Sequence, residues 1–242
     1  MTTEKEMDKA SQLKKTVKYA AVTSAPVFFG YIFLGTAFGL LLQKAGYNFI
    51  WAFLISTFVY AGSMQFVLVS FLAAGADLLT VIFMTLMINA RHIFYGLSFV
   101  DKFKKMGKAY PYMVLSLTDE TYSLLCRENY PAGVDETKAR FLIALLNHCY
   151  WISGSVLGAL AGQYIKFDST GIDFAMTALF VIIFIEQWSS FKSHIPALTG
   201  LACSAVSLVV FGADRFMLPA LAGSAAILML AKSKIPQEKG EE

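Results

Sequence analysis

The sequence predicts an all-α polytopic membrane protein of about seven to eight transmembrane segments, some of them broken or re-entrant. Composition comes first: of 242 residues, 57% are hydrophobic and only 15% charged, too little polar surface for a soluble domain of this size. The mean hydropathy is +0.58. The apolar stretches mostly run near the roughly 20 residues that a helix needs to cross a hydrocarbon core of about 30 Å. They also lack the dyad alternation of a membrane barrel.

Residues 1–18 read as a cytoplasmic N-terminal segment, rich in Lys and Glu, without the apolar core or small-residue cleavage site of a signal peptide. The first hydrophobic run is therefore expected to stay. Residues 19–232 form a single transmembrane domain and residues 233–242 a polar tail. The first span, Ala20 to Leu42, contains Pro26, Gly30 and a Gly35-x-x-x-Gly39 motif, which suits close approach of helix backbones.

The second apolar stretch, Phe49 to Ala74, is longer than one crossing needs and is broken by Tyr60-Ala61-Gly62-Ser63-Met64-Gln65. Broken helices near the midplane expose backbone groups that bind substrates and ions, provided they face a cavity. Leu78 to Val100 is the third span, followed by Lys102, Lys104, Lys105 and Lys108 in a short loop. Excess lysine marks the cytoplasmic side, and Lys14, Lys15 and Lys18 ask for the same side. Three simple crossings cannot satisfy both. A re-entrant pair at Phe49 to Ala74, entering and leaving by the outer face, reconciles them.

The fourth span, Tyr110 to Leu125, is short and has Asp119 and Glu120 near its middle; a polar loop from Arg127 to Lys138 follows. Phe141 to Tyr164 is the fifth, with Asn147, His148, Trp151 and a Gly154, Gly158, Gly162 ladder. Ile172 to Trp188 is the sixth, ending in Glu186-Gln187. His194 to Phe211 and Phe216 to Ala231 complete the set, with Lys232 and Lys234 on a cytoplasmic tail. Gly35 to Gly39 with Gln65 echoes Gly154 to Gly158 with Gln187, which suggests repeats over 20–100 and 140–213 that face opposite ways.

Chemistry concentrates where charge interrupts these runs. An arginine at a bilayer centre costs from about 2.5 to well over 10 kcal/mol, so Arg91 needs a partner or a job. Asp119 and Glu120 are the obvious partners, either as a structural ion pair or within a shared substrate site. His92 beside a carboxylate such as Glu120 suits a proton relay, although a lone membrane histidine also serves as a hydrogen-bonding core residue. Three scattered cysteines and three scattered histidines support neither a disulfide framework nor a metal site, and no cofactor is expected. No nucleophile elbow, paired metal-binding histidines or phosphate loop points to an enzyme. The net charge of +3 sits in lysines near run ends, which speaks for topology rather than a nucleic-acid partner.

In Ser63-Met64-Gln65, Asn89-Ala90-Arg91-His92 and Asp119-Glu120-Thr121, in that order and separation, the chain resembles the AzlC family, the large subunit of branched-chain amino-acid exporters. Met64 stands where a smaller residue is expected. The resemblance implies a bacterial inner-membrane permease that expels valine, leucine, isoleucine or related apolar amino acids, working with a small hydrophobic AzlD-family partner. A zwitterion with an apolar side chain needs donors for its carboxylate, acceptors for its ammonium and a greasy pocket. Ser63, Gln65, Asn89, Arg91, Asp119 and Glu120 are the candidate substrate-binding residues, with His92 and Glu120 as candidate proton relays. Alternating access driven by an ion or proton gradient is the expected mechanism; a passive channel, or a scaffold whose small partner carries the substrate path, stands as the alternative.

Overall fold

The computed structural model describes residues 2–126, 130–164, 193–212 and 216–231, together with positions 181, 184, 185 and 188. Among them there is no strand. The helices are α1 (Thr2–Lys44), α2 (Phe49–Phe58), α3 (Gly62–Ala74), α4 (Leu78–Asn89), α5 (Arg91–Lys104), a 3-10 turn (Gly107–Ala109), α6 (Tyr110–Leu115), α7 (Asp119–Leu125), α8 (Glu136–Tyr164), α9 (Ile195–Phe211) and α10 (Met217–Ala231). The chain divides into a unit of residues 1–76 and 88–168 and a second of 77–87 and 169–242. In the second, α9 and α10 pack on one another, and α9 ends at Gly212, whose φ of 74° suits glycine.

The first unit is built on α1 and α8, the two described helices long and apolar enough to cross a membrane, over 10–44 and 136–164. They run parallel. Thr16 Oγ1 accepts from the Asp135 N–H at 3.0 Å, Phe28 meets Tyr150 edge to face at 5.0 Å, and Gln43 reaches Gly162. Between these contacts the glycines let the backbones touch. A Cβ on Gly35 would sit 2.9 Å from Ser155 N and one on Gly154 2.8 Å from Tyr31 O, while Cβ atoms on Gly39 and Gly158 would overlap the backbones of Ser155 and Thr36. The two glycine motifs that echo each other in sequence are thus the two halves of one seam. Inverted copies would run antiparallel, so the opposite orientation expected of this pair is corrected: small residues recur in both because each must admit the other.

Several expected spans take a different form. α1 is one helix from Thr2, so the polar residues before Ala20 belong to the same helix as the first apolar run. The run from Leu78 divides at Ala90 into α4 and α5, and the helix continues to Lys104. Tyr110 to Leu125 is two short helices separated at Ser116 to Thr118. The expected sixth span, with Glu186 and Gln187, lies outside the described residues but for isolated positions.

The basic segments share one end of this unit. Leu13 of α1, Met106 and Ala109 near the 3-10 turn, and Thr137 and Phe141 of α8 line one hollow. Phe99 and Phe103 of α5, Met113 of α6, Leu125 of α7, Ala20 of α1 and Ile143 of α8 share one buried apolar cluster. Tyr130, just after α7, packs on Tyr19 at 5.5 Å and under the Arg140 guanidinium. The chain therefore enters α6 and leaves α7 at the same end. Its turn reaches Tyr31, about 18 Å along α1 from Tyr19.

A second reversal comes from the opposite end. α2 runs inward from the α1 terminus, breaks at Val59 to Ala61, and α3 turns back beside α1, with Phe66 against Phe38 at 6.0 Å. The distribution of polarity is inverted relative to a soluble domain. Phe29 is 73% exposed, while Gln65, Thr121 and Asn147 are wholly buried.

Candidate functional site

The two reversals meet at the polar face of α8. At the α2–α3 tip, Gln65 makes the knot: its Oε1 accepts from Trp151 Nε1 at 2.9 Å and from the Ala61 N–H at 3.2 Å, and its Nε2 donates to Ser56 Oγ at 3.3 Å. These bonds replace helix hydrogen bonds lost at the break. Tyr60, at the tip, has φ 41°, a left-handed conformation that a bulky residue seldom adopts. Its ring stacks on His148 at 4.1 Å. His148 Nε2 lies 3.1 Å from Ser56 O and its Nδ1 3.2 Å from the Tyr112 hydroxyl, so this one imidazole touches both reversals.

At the α6–α7 tip, Thr118 Oγ1 caps α7 by accepting from the Thr121 N–H at 3.3 Å, the usual way to satisfy an orphan donor. The Tyr31 hydroxyl lies 2.7 Å from Thr118 Oγ1 and donates to Glu120 Oε2 at 2.7 Å. Thr118 Oγ1 donates to Thr121 Oγ1 at 3.0 Å, and Asn147 Nδ2 donates to the same Thr121 oxygen at 3.0 Å. The Tyr31 ring meets Trp151 edge to face at 5.3 Å. One continuous set of contacts therefore runs from Gln65 through Trp151 and Tyr31 to Glu120. One buried polar atom in it lacks a hydrogen-bond partner, Asn147 Oδ1. The Tyr60 hydroxyl faces Tyr31, Thr121 and Glu120.

Of the residues singled out by sequence, Gln65 and Glu120 fall within this set. Asp119 stands beside Glu120 in the first turn of α7, and Ser63 is partly buried in the first turn of α3. Asn89 ends α4, and its carbonyl lies 3.2 Å from His92 Nδ1. Tyr95 stacks on Tyr122 at 4.4 Å, which aligns α5 with α7 and sets His92 at the level of the α7 start. Arg91 opens α5; its side chain, and with it the expected pairing to Asp119 or Glu120, lies outside the described residues. Tyr31, Tyr60, Thr121 and Asn147 were not among the expected site residues. Asn147, His148 and Trp151, one turn of polar side chains in an apolar helix, carried a usable signal; Tyr31 carried none.

The family model described as "AzlC protein" matches residues 26–165, which include both reversals and α8. The "Branched-chain amino acid transport protein AzlC" of Bacillus subtilis is 41% identical over 97% of this chain and 92% of its own. An "Uncharacterized membrane protein" of Helicobacter pylori is 40% identical over 91% of this chain and 97% of its own. The "Inner membrane protein YgaZ" of Escherichia coli is 27% identical over 70% of this chain and 72% of its own. No solved structure matches the chain. With a family model covering more than half of the residues and a relative similar along nearly all of them, the chain belongs to the AzlC family.

Proposed function

We propose that this protein is the large subunit of a branched-chain amino-acid transporter of the bacterial cytoplasmic membrane. It exports valine, leucine, isoleucine or related apolar amino acids by alternating access, driven by an ion or proton gradient. A small hydrophobic AzlD-family subunit is its partner. The observation that carries this reading is the meeting of two helix reversals, entered from opposite ends, halfway along two long parallel helices. Such broken elements supply the hydrogen-bonding groups that a substrate needs at membrane depth.

On this reading α1 and α8 cross the bilayer, α2–α3 re-enters from the outer face, and α6–α7 re-enters from the cytoplasmic face, where the lysine-rich segments and the N-terminus lie. Ser63, Gln65, Asn89, Arg91, Asp119 and Glu120 surround the substrate route, with His92 and Glu120 on a proton path. Gln65 acts by holding the α2–α3 tip, since Trp151, Ala61 and Ser56 engage both ends of its amide.

Proteoliposomes containing the protein and its small partner should move labelled valine or leucine in a saturable way under an imposed proton or sodium gradient. Absence of movement under every gradient would refute transport, and non-saturating flux without counter-flow would make it a channel. Single cysteines in place of Lys44, Asp77 and Lys105 should be labelled from outside at the first two positions and from inside at the third.

A further inference from the structure

Building on the proton path of the transport reading, we propose that proton uptake by Glu120 completes a ring of hydroxyl hydrogen bonds joining the α6–α7 tip to the α2–α3 tip, and that its release opens the ring. Four hydroxyls take part, those of Tyr31, Tyr60, Thr118 and Thr121. Tyr31 Oη lies 2.7 Å from both Glu120 Oε2 and Thr118 Oγ1, a separation at which a hydrogen sits between two oxygens. Thr118 Oγ1 is 3.0 Å from Thr121 Oγ1, and the Tyr60 hydroxyl bonds both Tyr31 and Thr121. There are thus five oxygen–oxygen contacts and four hydroxyl hydrogens. Each hydroxyl brings a single hydrogen, so the fifth must come from the carboxyl.

With Glu120 ionised, Tyr31 gives its hydrogen to the carboxylate, and three hydrogens remain for the four contacts among the hydroxyls. One of the four is then empty, wherever the gap falls. With Glu120 protonated, the carboxyl donates to Tyr31, Tyr31 to Thr118, Thr118 to Thr121, Thr121 to Tyr60 and Tyr60 back to Tyr31. Every contact is filled, and Thr118 donates to Thr121 as the geometry has it. The Thr121 N–H on Thr118 and the Asn147 amide on Thr121 are the same in both states. The proton comes from water and returns to water, and only its own O–H bond forms and breaks. The ring hydroxyls belong to buried residues, whereas Glu120 is exposed, so a proton reaches it from outside the ring.

The other titratable or charged groups around Glu120 are Asp119 in the same turn of α7, Tyr112 on α6, His148 on α8 behind Tyr60, and Arg91 and His92 at the start of α5. Phenols are neutral below about pH 10. The ring itself therefore carries no charge, and the carboxyl proton decides whether it closes.

The test is pH-difference infrared spectroscopy on the protein with its small partner in lipid vesicles. A carboxyl C=O band that Glu120→Gln removes belongs to Glu120, and its loss with rising pH gives the midpoint of proton release. Tyr60→Phe takes away one hydroxyl and two contacts, so that the three remaining hydrogens fill three contacts without the carboxyl proton. The midpoint should fall by about one pH unit or more, a tenfold weaker hold on the proton for one hydrogen bond. Thr121→Val makes the same subtraction and should move it in the same sense, which keeps the test open if Tyr60→Phe fails to fold. Should Glu120→Gln not fold, Glu120→Asp assigns the band by displacing it. A Tyr60 hydroxyl that serves packing alone would lower the Tm and leave the midpoint in place, and that result would overturn the proposal. An upward shift, or a wild-type spectrum without a Glu120 band, would overturn it as well. A protein that moves no leucine under any gradient refutes the transport reading, whereas the infrared midpoint still decides the ring.

Discussion

The α2–α3 and α6–α7 hairpins solve the same problem, a helix interrupted inside an apolar protein, by opposite means. The first is closed around one uncharged side chain: Gln65 holds an indole, a backbone amide and a serine at once. Its flanks, with Trp51, Phe53 and Phe58, are exposed and apolar. The second is closed by hydroxyls of Tyr31, Thr118 and Thr121, and its returning helix, α7, begins with two carboxylates. Its body, with Met113, Leu117, Leu124 and Leu125, is buried in the apolar cluster of the basic end. An amide knot has a single donor and acceptor arrangement, whereas each hydroxyl can reverse its role as donor and acceptor. One tip is therefore fixed in place, and the other can change its hydrogen-bond direction without moving.

The largest effect should come from removing the frame that both tips share. Gly39→Leu or Gly158→Leu drives a side chain into the facing backbone and should cost about 3 kcal/mol or more, read as loss of monodisperse protein on size exclusion. Gln65→Leu should come next. It strands Trp151 Nε1, the Ala61 N–H and Ser56 at roughly 3 kcal/mol, seen as a lower Tm in detergent. Thr118→Val should cost less, about 1 to 2 kcal/mol for a cap and its hydroxyl links, with Thr118→Ser restoring most of it. Equal losses for Gln65→Leu and Thr118→Val would erase the contrast between a fixed and an adjustable tip.

The smallest effect lies outside both tips. Asp135 Oδ1 accepts from the Lys138 N–H at 3.1 Å at the start of α8. That bond, then the Lys138 ammonium, hold the Asp135 carboxyl below its ordinary value. A depressed carboxylate stabilises the fold above its unfolded pKa of about 3.9 and loses that contribution as the pH falls through its lower folded value. Asp135→Ala should cost about 1 kcal/mol at neutral pH. The difference from wild type should shrink as the pH falls below the ordinary carboxylate range, which thermal unfolding in a descending series of pH values from 7 would check.

Hydropathy made the helical class legible, and the polar interruption at Tyr60 to Gln65 located the first break to within a few residues, because Gly62 and Ser63 weaken a helix in an apolar run. The second break was read as one short crossing. Tyr110 to Leu125 carries apolar residues on both sides of its charges, and composition does not record whether a chain reverses. The parallel seam was visible as glycine spacing but not as a pairing. Gly39 and Gly158 find each other only in three dimensions. Asp119 and Glu120 stood out because charge in an apolar run is costly. Tyr31 and Tyr60 did not, since a tyrosine in a membrane helix is ordinary until its hydroxyl is seen buried against a distant partner.

Because α1 and α8 lie parallel, they cannot pair as neighbouring helices do through a short turn. Thr36 and Gly154 are 118 residues apart, which a ribosome covers in roughly 6 to 24 s at 5–20 residues per second. For that interval the glycine groove of α1 has no partner from its own chain. A newly made subunit must therefore protect it, with lipid or with an insertion factor, until α8 emerges.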